Sequence, residues 1–126
     1  SNEAAAAHAS AAKPSDAPDA KIPKATGANA RTVAEIIAKS TELKDKPVMV
    51  RAKVVKYTGG IMGKNWIHLR DGSGSAADQT NDLMVTTANE AKVGDVVVMQ
   101  GTIRTDKDFG AGYAYKVMVE DATLQK

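Results

Sequence analysis

This 126-residue chain has no cysteine, which excludes disulfides, thiolate metal sites and a cysteine nucleophile. Aromatics make up only 4%, as one Trp, one Phe and three Tyr, so the core falls to Val, Ile, Leu and Met. No apolar run approaches the roughly 20 residues of a bilayer-crossing helix, and the sequence reads as soluble with no membrane span. Neither sign of charge dominates. Seventeen Lys and Arg against fifteen Asp and Glu leave +2, a balance that tolerates an anionic partner without demanding one. With two histidines in all, no His-x-x-x-His, Cys-x-x-Cys or Met-x-x-Met spacing suggests a metal centre.

Residues 1–29 read as a flexible N-terminal tail. Ala, Ser, Pro, Asp, Lys and Gly dominate it, and Ile22 is its only large aliphatic residue, too little apolar surface to offset the ordering entropy. His8 falls in this tail and reads as a solvated residue. Ser1-Asn2 in place of an initiator Met suggests a cleaved tag ahead of a processed start, and Ala/Ser/Pro-rich leaders commonly follow a removed export signal. The expectation is export to the periplasm, with residues 30–126 forming one domain.

The most informative stretch is Thr58–Gly74, TGGIMGKNWIHLRDGSG. Ile67 and Leu69 alternate with Trp66, His68 and Arg70, the period-2 pattern of a half-buried strand. Gly59, Gly60 and Gly63 on one side and Asp71-Gly72-Ser73-Gly74 on the other bound it. The sole Trp, a His and an Arg are thereby expected on the outward face. Before this stretch, Thr32 followed by Glu35 is a capping box for a helix over Thr32–Lys39, whose apolar stripe is Val33, Ile36 and Ile37, extended to Leu43. Val48–Tyr57 alternates with Val48, Val50, Ala52 and Val54 on one face. Leu83–Thr87, Val96–Thr105 and Tyr113–Leu124 complete five strands. Gly101 interrupts the fourth, as corner-turning in a tight barrel requires. About 95 residues with turn signals at roughly ten-residue spacing fit an all-β, five-stranded barrel preceded by a helix.

Three segments carry a resemblance. Val48-x-Val50-x-Ala52-x-Val54, Trp66-Ile67-His68-Leu69-x-Asp71-Gly72-Ser73-Gly74 and Val93-Gly94-Asp95-Val96-Val97-x-x-x-Gly101 together resemble the oligonucleotide/oligosaccharide-binding (OB) fold across Thr32–Leu124. GIMGKNWIHLRDGSG and TDKDFGAGYAYKVMVEDA are similar to a group of small exported bacterial OB-fold proteins. Some of these occur beside periplasmic cytochrome c nitrite reductases and other respiratory genes, and many carry only a nucleic-acid-binding label by fold. The resemblance implies the OB fold and supplies no ligand; with no catalytic set among the residues, the expectation is a periplasmic, non-enzymatic binding module without a cofactor. Its partner would be a protein, including a respiratory or cytochrome component, or a small molecule.

OB folds bind on the outer face of strands 2 and 3, between the strand 1–2 and 4–5 loops. Here those loops are Thr58–Lys64 and Thr105–Gly112. The expected ligand-binding residues are Gly60, Met62, Lys64, Asn65, Trp66, His68, Arg70, Asp108, Phe109 and Tyr113. Asn65 is placed to brace the Gly60–Gly63 loop through backbone hydrogen bonds. Phe109, Tyr113 and Tyr115 are placed to close over that loop as an aromatic lid, or else to pack at the barrel rim.

Two other functions draw on the same surface. Arg51, Lys53, Trp66 and Arg70 would serve a single-stranded nucleic acid, cations tracking phosphates while the ring stacks a base. One stacking ring and the acidic Asp106 and Asp108 make this the less favoured reading. Met62 and His68, with Met84, supply donors of the kind copper selects. In the blander alternative a loop or the helix covers Trp66, and the Arg and Lys residues form a solvated face. Ser73, Ser75, Asp71 and His68 give no converging nucleophile and base, and Asp71–Gly74 reads as the turn leaving the second strand.

Overall fold

The computed structural model describes residues 19–126. Its strands are β1 (Pro47–Ile61), β2 (Lys64–Arg70), β3 (Leu83–Thr87), β4 (Val96–Asp108) and β5 (Ala114–Gln125), preceded by two short helices, α1 (Val33–Ala38) and α2 (Ser40–Leu43). The strands close into a ring in the order β1-β2-β3-β5-β4. Closure depends on the length of β1. Its first half, Pro47–Lys53, pairs with β4, and its second half, from Lys53 on, pairs with β2. A register shift between Val54 and Lys56 marks the bend between the two partners. The β3–β5 pair is parallel and seals the ring. No helix among the described residues is long and apolar enough to cross a membrane.

The alternating residues fill the interior. Val48, Val50, Ala52 and Val54 of β1 meet Ile67 and Leu69 of β2, Leu83 and Val85 of β3, and Met99, Ile103 and Val119 from β4 and β5. Val33 and Ile36 of α1 and Leu43 of α2 join the same cluster. The helix starts where the Thr32/Glu35 spacing predicts. The Glu35 amide donates to Thr32 Oγ1 at 3.1 Å, and the Thr32 amide donates to Glu35 Oε1 at 2.8 Å. Gly101 is where β5 crosses closely over β4. A Cβ there would sit 2.5 Å from Val119 Cγ1 and 3.0 Å from the Glu120 carbonyl, so no larger residue fits without moving the crossing strand.

Two boundaries differ from expectation. The expected tail reaches residue 29, yet from Asp19 the chain lies against the ring. The Ile22 amide donates to the Asp71 carbonyl, Asn29 and Arg31 exchange backbone bonds with Met49, and Ala25 and Ala30 are buried. Ile22 is the segment's only large apolar residue, so its contacts run mostly through backbone groups, which composition does not reveal. The expectation for residues 1–18, His8 included, lies outside the described residues. The two glycine-rich loops are also shorter than expected. β1 and β2 run up to a two-residue turn, Met62 (φ 54) and Gly63 (φ 75), both left-handed as a tight hairpin requires. Likewise β4 continues to Asp108, and only residues 109–113 connect it to β5. Ladder pairing outweighs glycine's conformational freedom in both arms, with the irregularity absorbed as a register shift between Thr58 and Ile61.

Candidate functional site: the paired hairpins

The outward face of β2 carries Trp66, His68 and Arg70, as the alternation predicts, but that face is not open. Trp66 is 2% exposed. It lies outside the ring, in a second cluster with Met84, Tyr113 and Met118, against which Ile61, Phe109 and Tyr115 also pack. Phe109 meets the indole edge-on at 5.4 Å, while Tyr113 and Tyr115 approach it tilted at 5.3 and 5.9 Å, within the range in which ring pairs add to area burial. The indole N–H donates to the Ile61 carbonyl at 2.9 Å. One ring thus ties the β1–β2 hairpin to the β4–β5 hairpin. Burial pushes the phenol groups of Tyr113 and Tyr115 up, that of Tyr115 to about 12.

Charge ties the same two hairpins. Glu120 of β5 is 6% exposed, with Lys64 Nζ at 3.1 Å, Lys107 Nζ at 3.2 Å and Arg104 Nε at 3.6 Å. Burial raises its carboxyl, but hydrogen bonds from Lys64 and Lys107 outweigh this and hold it below the ordinary carboxylate range. Both ammonium groups also lie over the Phe109 ring, at 5.8 and 5.2 Å. Asn65 braces the first hairpin: its Oδ1 accepts from the Gly60 amide at 2.9 Å, and its Nδ2 donates to the Asn89 carbonyl at 2.8 Å. In the second, Asp108 Oδ1 accepts from the Gly110 amide at 2.8 Å. Met62 stands at the tip of the first hairpin, 37% exposed.

At the far end of β2 the outward residues form a separate, internal ion network. His68 Nδ1 lies 2.5 Å from Asp82 Oδ1, Arg70 Nε donates to Asp82 Oδ2 at 2.8 Å, and Arg70 is 3% exposed with Asp19 at 3.6 Å. Burial raises the Asp82 carboxyl, and the His68 and Arg70 contacts more than reverse that, leaving it below its ordinary value.

The expected recognition face is therefore corrected in three respects. Of the ligand-binding set, Gly60, Met62, Lys64, Asn65, Asp108 and Phe109 come together at the paired hairpins with Trp66 and Tyr113 as buried support, while His68 and Arg70 belong to the Asp82 network. Of the nucleic-acid set, Trp66 and Arg70 are buried, and Arg51 donates to the Pro23 and Lys24 carbonyls at 3.2 and 3.1 Å. Lys53 is partly exposed on β1. The Met62/His68 metal pair is separated: His68 lies four strand residues beyond Lys64, on the order of 13 Å along β2. Among the described residues no group of three His, Cys, Asp or Glu could hold a metal ion.

Sequence reasoning missed what Asp71–Ser73 does. Beyond turning the chain, Asp71 Oδ2 accepts from the Val33 amide at 2.9 Å and Ser73 Oγ accepts from the Ala34 amide at 3.0 Å. The turn therefore serves the open N-terminus of α1. Ser73 Oγ also donates to Asp71 at 2.5 Å, so this hydroxyl is committed to docking the helix. Gly72 (φ 84) is required there, since a Cβ would lie 2.7 Å from Lys21 Cα. The Lys107 and Arg104 contacts to Glu120 were missed as well. An Arg–Lys–Glu set spread over two strands has no local spacing that could have shown it.

Comparison of the chain with protein-family models, with curated proteins and with solved structures finds no match.

Proposed function

We propose that the chain is an exported, non-enzymatic OB-fold binding module whose paired hairpin tips, Met62–Lys64 and Phe109–Gly112, dock on a partner protein. The observation that carries this reading is the joint anchoring of both tips by Trp66 and Glu120. A surface held in one arrangement before binding loses less freedom on binding. Met62 supplies an adaptable apolar contact at its centre, with Lys64 and Lys107 as a charged rim. The five-stranded closed ring with β1 shared between two partners supports the OB-fold assignment. The resemblance to exported proteins found near respiratory genes supports the periplasm as the compartment and a cytochrome-type component as the partner class. The single-strand nucleic-acid reading is disfavoured because its stacking ring and one of its cations are buried.

Site-directed photo-crosslinking in the bacterial periplasm tests it. A photoreactive residue at Met62 or Ala111 should trap the same protein, and one at Val93, exposed in the turn before β4, should not. Equal products from all three positions, or none from Met62 and Ala111, would contradict the reading.

A further inference from the structure

Residues 19–25 cross the outward side of β1 and β2 as a strap with no helix or strand structure of its own. Its contacts are mostly polar, and they converge on two guanidinium groups. Arg51 Nη1 donates to the Pro23 and Lys24 carbonyls at 3.2 and 3.1 Å, and Arg70 Nη1 lies 3.6 Å from the Asp19 carboxylate. The Ile22 amide donates to the Asp71 carbonyl at 2.9 Å. The strap passes so closely over Gly72 that a Cβ there would lie 2.8 Å from the Ala20 carbonyl oxygen and 3.0 Å from the Lys21 nitrogen. The surface beneath is thus shaped to a peptide backbone. It is also cationic. Arg51 and Lys53 stand two residues apart on one face of β1, and Lys53 is the register partner of Arg70 on β2. Arg51 meets carbonyl oxygens rather than a carboxylate, and Lys53 has no ion pair or side-chain hydrogen bond among the described residues.

We propose that this face binds an extended acidic peptide, and that the strap occupies the site in cis until such a peptide displaces it. The strap is weakly held. Ile22 is its one large aliphatic side chain and is only half-buried, and segments with few buried apolar contacts open at the lowest free energy. It also answers the charge beneath it incompletely. A partner bearing carboxylates beside Arg51 and Lys53 would form charge-assisted hydrogen bonds where the strap offers carbonyls to one and nothing to the other. The acids of the face itself do not fill that role: Asp82 is committed to Arg70 and His68, and Asp71 to the amide of Val33. A peptide is favoured over a single-stranded nucleic acid because the Asp71 carbonyl and the Gly72 cleft already receive a peptide backbone. The β2 indole, moreover, is buried and cannot stack a base. A tethered strap competes at an effective concentration in the millimolar range, so the parent chain binds such a peptide only weakly. The site lies at the far end of β2 from the hairpin tips and does not depend on their engaging a protein.

The test is a titration of the ¹⁵N-labelled full chain with a synthetic peptide of the 19–25 sequence carrying glutamate in place of Lys21 and Lys24. A short oligothymidine is titrated separately, at the same salt concentration. Asp19→Asn and Ile22→Gly together weaken the strap and leave every strand residue in place. This double variant should bind the peptide at least about tenfold more tightly than the parent, because the competitor in cis is loosened. Saturable amide shifts are expected at Arg51, Lys53, Arg70 and Gly72, and none at Met62 or Ala111. Adding Lys53→Met, which keeps the apolar stem, should weaken that binding about tenfold, the loss of one charge-assisted hydrogen bond. An unchanged Tm in the triple variant separates loss of the site from loss of the fold. Equal affinity in parent and double variant, shifts that never saturate, or no effect of Lys53→Met would overturn the proposal. Tighter binding of the oligothymidine than of the peptide would assign the face to nucleic acid and overturn it as well. Crosslinking from Met62 and Ala111 in the parent reports separately on the hairpin reading.

Discussion

The interior of the ring and the cluster outside it are packed by different means. Inside, aliphatic side chains from all five strands and both helices interlock, and Val50, Val54, Ile67, Leu69 and Val85 have no exposed surface. Outside, one indole with three other rings and two methionines joins two hairpins, and a single buried carboxylate holds two lysines beside them. The first cluster makes the ring. The second lies outside the ring, with Met84 of β3 and Met118 of β5 among its members, and fixes how Met62 and the 109–113 turn are presented. The two should therefore fail differently.

The largest effect is expected from Leu69→Ala. Truncating a fully buried leucine costs about 2–5 kcal/mol, and the loss should appear as faster hydrogen exchange throughout all five strands. Gly101→Ala should follow, at about 1–3 kcal/mol, because its methyl group meets Val119 and the Glu120 carbonyl; chemical denaturation measures both. Phe109→Ala should cost less, about 1–2 kcal/mol for a ring only partly buried. Its gain in exchange should be confined to the two hairpins, with the interior strands unchanged. A uniform loss in Phe109→Ala would show that the clusters are one cooperative unit.

The smallest effect concerns acid. The folded-state carboxyl of Asp82 lies below its ordinary value of 3.8. Its contribution is therefore present above that value and lost as pH falls through the lower folded-state value. Asp82→Asn should be less stable than the parent near pH 7. The difference between the two should shrink below about pH 4 in paired thermal melts. A constant difference across that range would remove the His68–Asp82–Arg70 network from the account of acid stability.

The same contrast explains what could be read from the sequence. Alternation sorts residues by face, so the inward sets of β1, β2 and β3 and the outward placement of Trp66, His68 and Arg70 were all legible. Alternation does not say whether an outward face is then covered. Trp66 is buried by Phe109, Tyr113 and Tyr115, more than 40 residues further along the chain, and Arg70 by Asp82 and Asp19. The Asn65 brace was legible because its acceptor and donor are five residues apart. The docking of Asp71 and Ser73 onto α1 spans 38 and 39 residues, and neither residue departs from what an ordinary turn contains. Glycine content misled in the hairpins, since Gly59 and Gly60 sit within β1 and only Gly63 occupies the turn.

The central claim is that Trp66 and Glu120 hold the two hairpin tips as one ordered unit in the free protein. Backbone amide order parameters at Met62–Lys64 and Phe109–Gly112 test it most directly. The account predicts values near the ~0.85 of rigid backbone at both tips, whereas values below ~0.6 at either would contradict it.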